Sequence, residues 1–207
     1  MRRDALCILV LLAALAPGGT AFAAVGCELN DPDRDVRRLF PGATGYKTLY
    51  MSISKKGGAP LLARVESRLG DSFRGIYETA DVPYTIYEIY RGKERVGYIH
   101  GVNHKGEYGG IQVFLALDLA GTIRSFYIQK LTSQYAKQLR DPAFGRQFVG
   151  LGLADFAGYD VVTGRAQGRT AAILNPAPRA EIDFRAALRA TKKNLILMDE
   201  FVLGGKP

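Results

Sequence analysis

The side chains best suited to acid–base or metal chemistry in this sequence are two histidines, four positions apart. His100 and His104 lie in or beside a stretch, 95–102, whose residues predict a β-strand, so the two rings do not share a helical face. The sequence has no Cys-x-x-Cys pair and no third histidine, and it lacks the Gly-x-Ser-x-Gly, Walker and Gly-x-Gly-x-x-Gly motifs. We therefore interpret both histidines as surface residues, and the sequence disfavours a conventional metalloenzyme or hydrolase.

A second candidate for chemistry is a glycine-rich loop that leads into an apolar run. Gly106, Glu107, Tyr108, Gly109 and Gly110 come directly before residues 111–118, which predict a buried strand. Glycine at such a place permits a left-handed backbone or the close approach of another group. Taken alone, these residues favour a simple tight turn.

The frame that would position this loop is predicted to be a sheet. Four β-rich runs joined by short turns indicate an antiparallel meander: 84–90, 95–102, 111–118 and 122–130. Helical patterns lie on both sides of it, beginning at Pro32, at Pro60 and at Pro142 and recurring in the C-terminal region. The expected fold class is α+β, with a central antiparallel sheet, helices before and after it, and a long C-terminal helix.

The C-terminal helix is predicted from Glu181 to about Val202. An apolar stripe runs along one side of it, and the basic residues are expected on its surface: the stripe is Phe184, Leu188, Leu195, Met198 and Val202, and the basic residues are Arg185, Arg189, Lys192 and Lys193. Asp199 and Glu200, late in the helix, are interpreted as solvated charges.

The N-terminus has the pattern of a secretory signal. Arg2 and Arg3 precede an apolar run over 5–16 that is too short to span a bilayer unaided, and small residues follow. Cleavage after Ala23 fits the A-x-A rule, whereas the residues 24–27 resemble a lipobox in which Cys27 becomes the lipidated first residue. We expect residues 1–26 to be a signal peptide and 27–207 to be a single domain, with Cys27 as the lipid anchor.

The mature domain is expected to be basic. Without Arg2, Arg3 and Asp4, the 28 basic and 20 acidic side chains become 26 and 19, a net charge of +7. Such a charge favours an anionic membrane surface or a phosphate-bearing ligand, and nucleic acid is not expected behind a signal peptide.

The order of several short motifs resembles the FMN-binding domain found in subunits of bacterial Na⁺-translocating NADH:quinone reductase and Rnf electron-transport complexes. Tyr108-Gly109-Gly110 and the turn over 118–123 follow the order of that family's glycine loop and Asp-x-x-Gly-x-Ile turn. The segment 144–150 and the final helix are also similar to the family's, and the likeness covers about residues 36–202. The resemblance implies noncovalent FMN bound by a divergent member, with Tyr108, Gly109, Gly110, Thr132 and Arg179 as cofactor-binding residues and with Arg185 or Arg189 assisting.

Two departures from the family pattern limit this resemblance. The family's Glu-Thr-Pro-Gly loop is replaced here by residues 131–136, of which only Thr132 matches. The family's flavinylation threonine has no counterpart, because residues 176–183 contain no serine or threonine. A phosphoester to FMN therefore cannot form at that position.

Two hypotheses of different classes follow. The first is a redox or electron-transfer accessory on the periplasmic side of a bacterial membrane, partnered with a membrane-bound redox complex or another periplasmic protein. The second is a non-enzymatic binding or assembly module of the same fold that has lost flavin. An unrelated periplasmic lipoprotein that binds a small ligand is a third. The first hypothesis implies no catalytic turnover residues.

Overall fold

The computed structural model describes residues 26–204. The signal peptide predicted over 1–26 thus falls almost wholly outside the described residues. Within them lie five strands and six α-helices: α1 (Pro32–Leu39), β1 (Gly45–Met51), α2 (Ile53–Lys56), α3 (Gly58–Leu69), β2 (Tyr84–Arg91), β3 (Glu94–Lys105), β4 (Gly110–Leu117), β5 (Ile123–Leu131), α4 (Ala136–Leu139), α5 (Pro142–Arg146) and α6 (Glu181–Met198). A π-helical turn, Asp199–Leu203, extends α6.

The five strands form one antiparallel sheet in the order β1-β2-β3-β4-β5. The predicted α+β class, the meander and the long final helix are confirmed. Strand β1 was not predicted from the sequence. It is an edge strand paired only with β2, and its residues are half-buried or exposed, so it lacks the stronger apolar signal of the four predicted runs.

Local sequence explains where the helices begin and end. Asp31 accepts a hydrogen bond from the Arg34 backbone N–H at the start of α1, and Pro32 occupies the first helical position. Asp141 and Pro142 start α5 in the same way. Helix α3 ends at Gly70, whose φ of 79° places it in the left-handed region.

Each face of the sheet carries its own apolar layer. Helices α3, α5 and α6 cover one face, which we call the helix face, and its layer includes Ile86, Val102 and Leu115. Residues 26–40 cover the other, which we call the strap face. Alternate residues of each strand serve the two layers, as the two-residue period of a strand requires.

From Ala186 onward helix α6 is buried on nearly all sides, so the expectation that its basic residues lie on the surface is wrong for all of them except Arg185. Arg189 and Lys192 are each 6% exposed and Lys193 is fully buried. Glu200 was also expected to be solvated, but its side chain is 5% exposed and accepts a hydrogen bond from Arg68 at 2.8 Å. These charges are tolerated inside because each meets an opposite charge or a backbone carbonyl.

Candidate functional site

The glycine-rich loop and the start of α6 lie against each other. The Asp183 carboxylate, in the first turn of α6, accepts a hydrogen bond from the Glu107 backbone N–H at 2.8 Å. A Cβ on Gly106 would lie 2.6 Å from the same oxygen. None of Gly106, Gly109 and Gly110 has a positive φ. Glycine at these positions is therefore explained by the close approach of neighbouring groups to the backbone rather than by a left-handed backbone conformation.

Four of the five predicted cofactor-binding residues lie together at this loop. A Cβ added to Gly109 would lie 3.3 Å from the Thr132 hydroxyl oxygen. A Cβ added to Gly110 would lie 2.8 Å from the Tyr77 hydroxyl oxygen. Tyr108 projects outward with 62% of its surface exposed. Arg179 is exposed in the short turn before α6, and within residues 26–204 it makes no hydrogen bond or ion pair.

A cleft of about 230 Å³ opens between the end of β3 and the first two turns of α6. His104 and Lys105 line it from the strand, and Glu181, Arg185 and Arg189 line it from the helix. Lys105 is exposed and has no ion-pair partner within the described chain. Arg185 donates a hydrogen bond to the Val162 carbonyl. The mouth of the cleft therefore carries two positive charges, Lys105 and Arg185, against the one carboxylate of Glu181.

Two residues that line the cleft, His104 and Arg189, belong to an ion cluster centred on Glu78. One oxygen of Glu78 lies 2.5 Å from an Arg189 guanidinium nitrogen and 2.8 Å from the Lys193 ammonium. Arg189 also donates to Asp71 at 2.9 and 3.1 Å, and Lys193 donates to the Asn103 carbonyl at 2.6 Å. This network ties the loop before β2 to the middle of α6.

Electrostatics keep this cluster ionised. Burial alone would raise the pKa of Glu78, but the hydrogen bond with His104, the Lys193 charge and the Arg189 hydrogen bond lower it below its ordinary value. Burial lowers the pKa of Lys193, although Glu78 opposes that effect. Because the carboxylate of Glu78 is already paired with both cations, Arg189 is not free to bind an external anion.

His100 is buried, so its interpretation as a surface residue is wrong. Its Nδ1 lies 2.9 Å from the Asn194 side-chain oxygen, and Asn194 donates back to the His100 carbonyl at 2.9 Å. Burial lowers the pKa of His100 to about 4, so the ring is neutral at pH 7. His104 is also more enclosed than expected, with 17% of its side chain exposed. Local sequence carries no signal for the burial of either histidine, because their partners lie on α6 and in the loop before β2.

Cys27 lies in the apolar layer of the strap face, 1% exposed, and its backbone pairs with Tyr84. Its sulfur would be 2.6 Å from a Cβ on Gly101, which explains glycine there. Burial raises the pKa of the Cys27 thiol. A lipid on this sulfur would require residues 26–30 to leave the sheet.

No family model matches this chain, and no curated protein matches it either. No helix among the described residues is long and apolar enough to cross a membrane. In the same part of the chain, no group of three or more metal-binding side chains is close enough to hold a metal ion.

Proposed function

We propose that this chain is an exported redox or electron-transfer accessory of the FMN-binding-domain type, which binds FMN noncovalently beside the glycine-rich loop. The observation that carries the proposal is the contact between Glu107 and Asp183, because it joins the sheet's glycine turn to the start of the closing helix. The cleft next to that contact is open and basic at its mouth.

The residues present fit the phosphate end of FMN. Lys105 and Arg185 are the cations that would hold the phosphate, with Arg179 as a further candidate and with the first backbone N–H groups of α6 adding their partial positive charge. Tyr108 and the Gly109–Gly110 backbone would support the ring. When bound, FMN supplies the capacity to carry one or two electrons, and the protein positions it and excludes water.

The test is the colour of the protein purified without added flavin, followed by FMN titration. Acid precipitation of a noncovalent complex leaves a yellow supernatant. Replacing Arg185 with Gln should weaken FMN binding about tenfold, since a charge-assisted hydrogen bond contributes about 1.5–3 kcal/mol. Arg165→Gln, a change of equal charge at an exposed residue outside the cleft, is the control. Colourless protein that FMN does not titrate contradicts the proposal.

A second candidate function is a non-enzymatic binding or assembly module of the same fold. It is favoured by the two carboxylates at the loop, because Asp183 occupies the contact with the loop and Glu107 lies beside it. Negative charges there repel a phosphate. This candidate predicts no flavin and a protein that co-migrates intact with a membrane-bound complex on a native gel. The proposed place of action in either case is the periplasmic side of a bacterial membrane, with Cys27 as the proposed lipid anchor.

A further inference from the structure

Four arginines surround a groove along the outer edge of β5. The groove encloses about 280 Å³ and follows the backbone of residues 125–128. Helix α5 abuts this edge, since a Cβ on Gly145 would lie 2.9 Å from the Phe126 carbonyl. The four guanidinium groups belong to α1, β5 and the segment around α5: Arg38, Arg124, Arg140 and Arg146.

Two of these arginines are held in place by contacts within the groove. The Arg38 guanidinium lies 4.4 Å from the centroid of the Tyr127 ring and donates to Asp35 at 3.2 Å. Arg140 donates through Nε to the Ile128 carbonyl at 3.1 Å, and its terminal amino groups have no partner within residues 26–204. Fixed guanidinium groups lose less side-chain entropy when they bind a ligand.

The positive charge of the groove is only partly balanced within the described residues, where Arg38 pairs with Asp35. Arg124, Arg140 and Arg146 form no ion pairs in the described part of the chain. The groove has one carboxylate, Asp141, and one of its oxygens caps α5 by accepting from the Ala143 N–H at 2.7 Å. Several like charges around one small groove repel one another, and a bound multivalent anion offsets that repulsion.

We propose that this groove binds a phosphate group. Guanidinium forks match the oxygens of phosphate in paired hydrogen bonds, and a phosphate offers several oxygens to several arginines at once. The same chemistry is presented by the headgroup of an anionic phospholipid and by a free phosphate ester. The proposal does not depend on flavin, because the groove shares no residue with the cleft beside α6.

The test compares two double variants of the full chain. Arg124→Gln with Arg146→Gln removes two exposed groove charges, whereas Arg91→Gln with Arg165→Gln removes two exposed, unpaired charges elsewhere within the described chain. Binding of inorganic phosphate is measured by calorimetry at low salt. We expect the groove variant to bind phosphate at least about tenfold more weakly, and the control variant to match the unaltered chain. Equal melting temperatures show that both variants are folded.

Vesicle sedimentation identifies the source of the phosphate. Phosphatidylcholine vesicles are compared with vesicles that also contain phosphatidylglycerol. A groove-specific loss of binding to the anionic vesicles, of about tenfold, identifies a lipid headgroup. If only the groove variant loses binding to inorganic phosphate, and the unaltered chain shows no preference for anionic vesicles, the ligand is a free phosphate ester. Absence of phosphate binding by the unaltered chain, or an equal loss in the control variant, overturns the proposal.

Discussion

The two faces of the sheet hold the segments that cover them by different means. On the helix face, ionised side chains meet inside the protein, with Glu78 between Arg189 and Lys193. On the strap face, neutral amides hold the backbone of residues 26–30. Asn103 donates to the Gly26 carbonyl at 3.1 Å, and Gln129 donates to the Glu28 carbonyl at 2.9 Å.

This difference determines which perturbations each face tolerates. A buried ion pair contributes little net stability when it is intact, but removal of one partner leaves an uncompensated charge in a medium of low dielectric constant. A buried amide that loses its partner leaves only a neutral polar group unsatisfied, which costs less. The helix face should therefore be the more sensitive to loss of one side chain and to acid.

The largest effect is expected from Glu78→Gln. This change leaves Arg189 and Lys193 buried without the carboxylate between them, and removing one partner of a buried pair costs about 3–5 kcal/mol. The free energy of unfolding in urea measures it. Asp155→Asn is the matched control, because its pair with Arg169, whose side chain is 58% exposed, should contribute less than about 1 kcal/mol. Equal losses of stability in the two variants would refute the expectation that the buried ion cluster is the more sensitive to loss of one partner.

The next effect is a loss of stability in mild acid. Because the pKa of His100 is about 4 in the folded protein and about 6.5 in the unfolded chain, the unfolded state binds more protons between those values. Stability should fall as the pH drops from about 6.5 to about 4, by about 3 kcal/mol from His100 alone. His104, whose pKa is also lowered, acts in the same direction.

Glu78 adds to this loss at lower pH. Its pKa is depressed in the folded protein, so its contribution is present above about pH 4.5 and is lost below that value. Urea denaturation at a series of pH values measures both effects. A His100→Gln variant should show a flatter profile between pH 4.5 and 6.5. An unchanged slope in this variant would show that His100 is not the group responsible.

The smallest effect should come from the strap face. In Gly101→Ala the new methyl group would lie 2.5 Å from Phe114 and 2.6 Å from the Cys27 sulfur, so the segment that covers the strap face must shift. We expect a loss of about 1–3 kcal/mol, with little dependence on pH. In protein that carries no lipid on Cys27, we also expect faster reaction of the Cys27 thiol with a thiol reagent. Gly45→Ala, which has no heavy atom within 4 Å of the added Cβ, is the control. A Cys27 thiol that reacts as slowly in Gly101→Ala as in the control would show that the segment around Cys27 stays packed against the sheet.

The sequence was most informative where a local rule acts. Pro32 and Pro142 were each predicted to begin a helix, and both predictions are confirmed. The four strands β2 to β5 were predicted to within a few residues, because each is rich in β-forming residues. The edge strand β1 was missed since half-buried residues carry a weak periodic signal.

For the candidate site, the sequence predicted which segments matter but not their contacts. The glycines at 106, 109 and 110 taken alone favour a tight turn. The structure instead explains glycine at 106 by the close approach of Asp183. The prediction that Arg189 and Lys193 lie on the surface was wrong because their partner, Glu78, is more than a hundred residues away in the sequence. Spacing along a helix indicates which face a residue occupies, but it cannot indicate what another segment brings to that face.

The amino-acid order alone thus determined the α+β class, the meander and the helix caps, because these follow from interactions between residues close in sequence. Only the tertiary structure decided which charges are buried, which glycines are required by close approach, and where unpaired arginines gather. Those features depend on contacts between distant segments, and the free energy of a charge is set by its surroundings rather than by its neighbours in the chain.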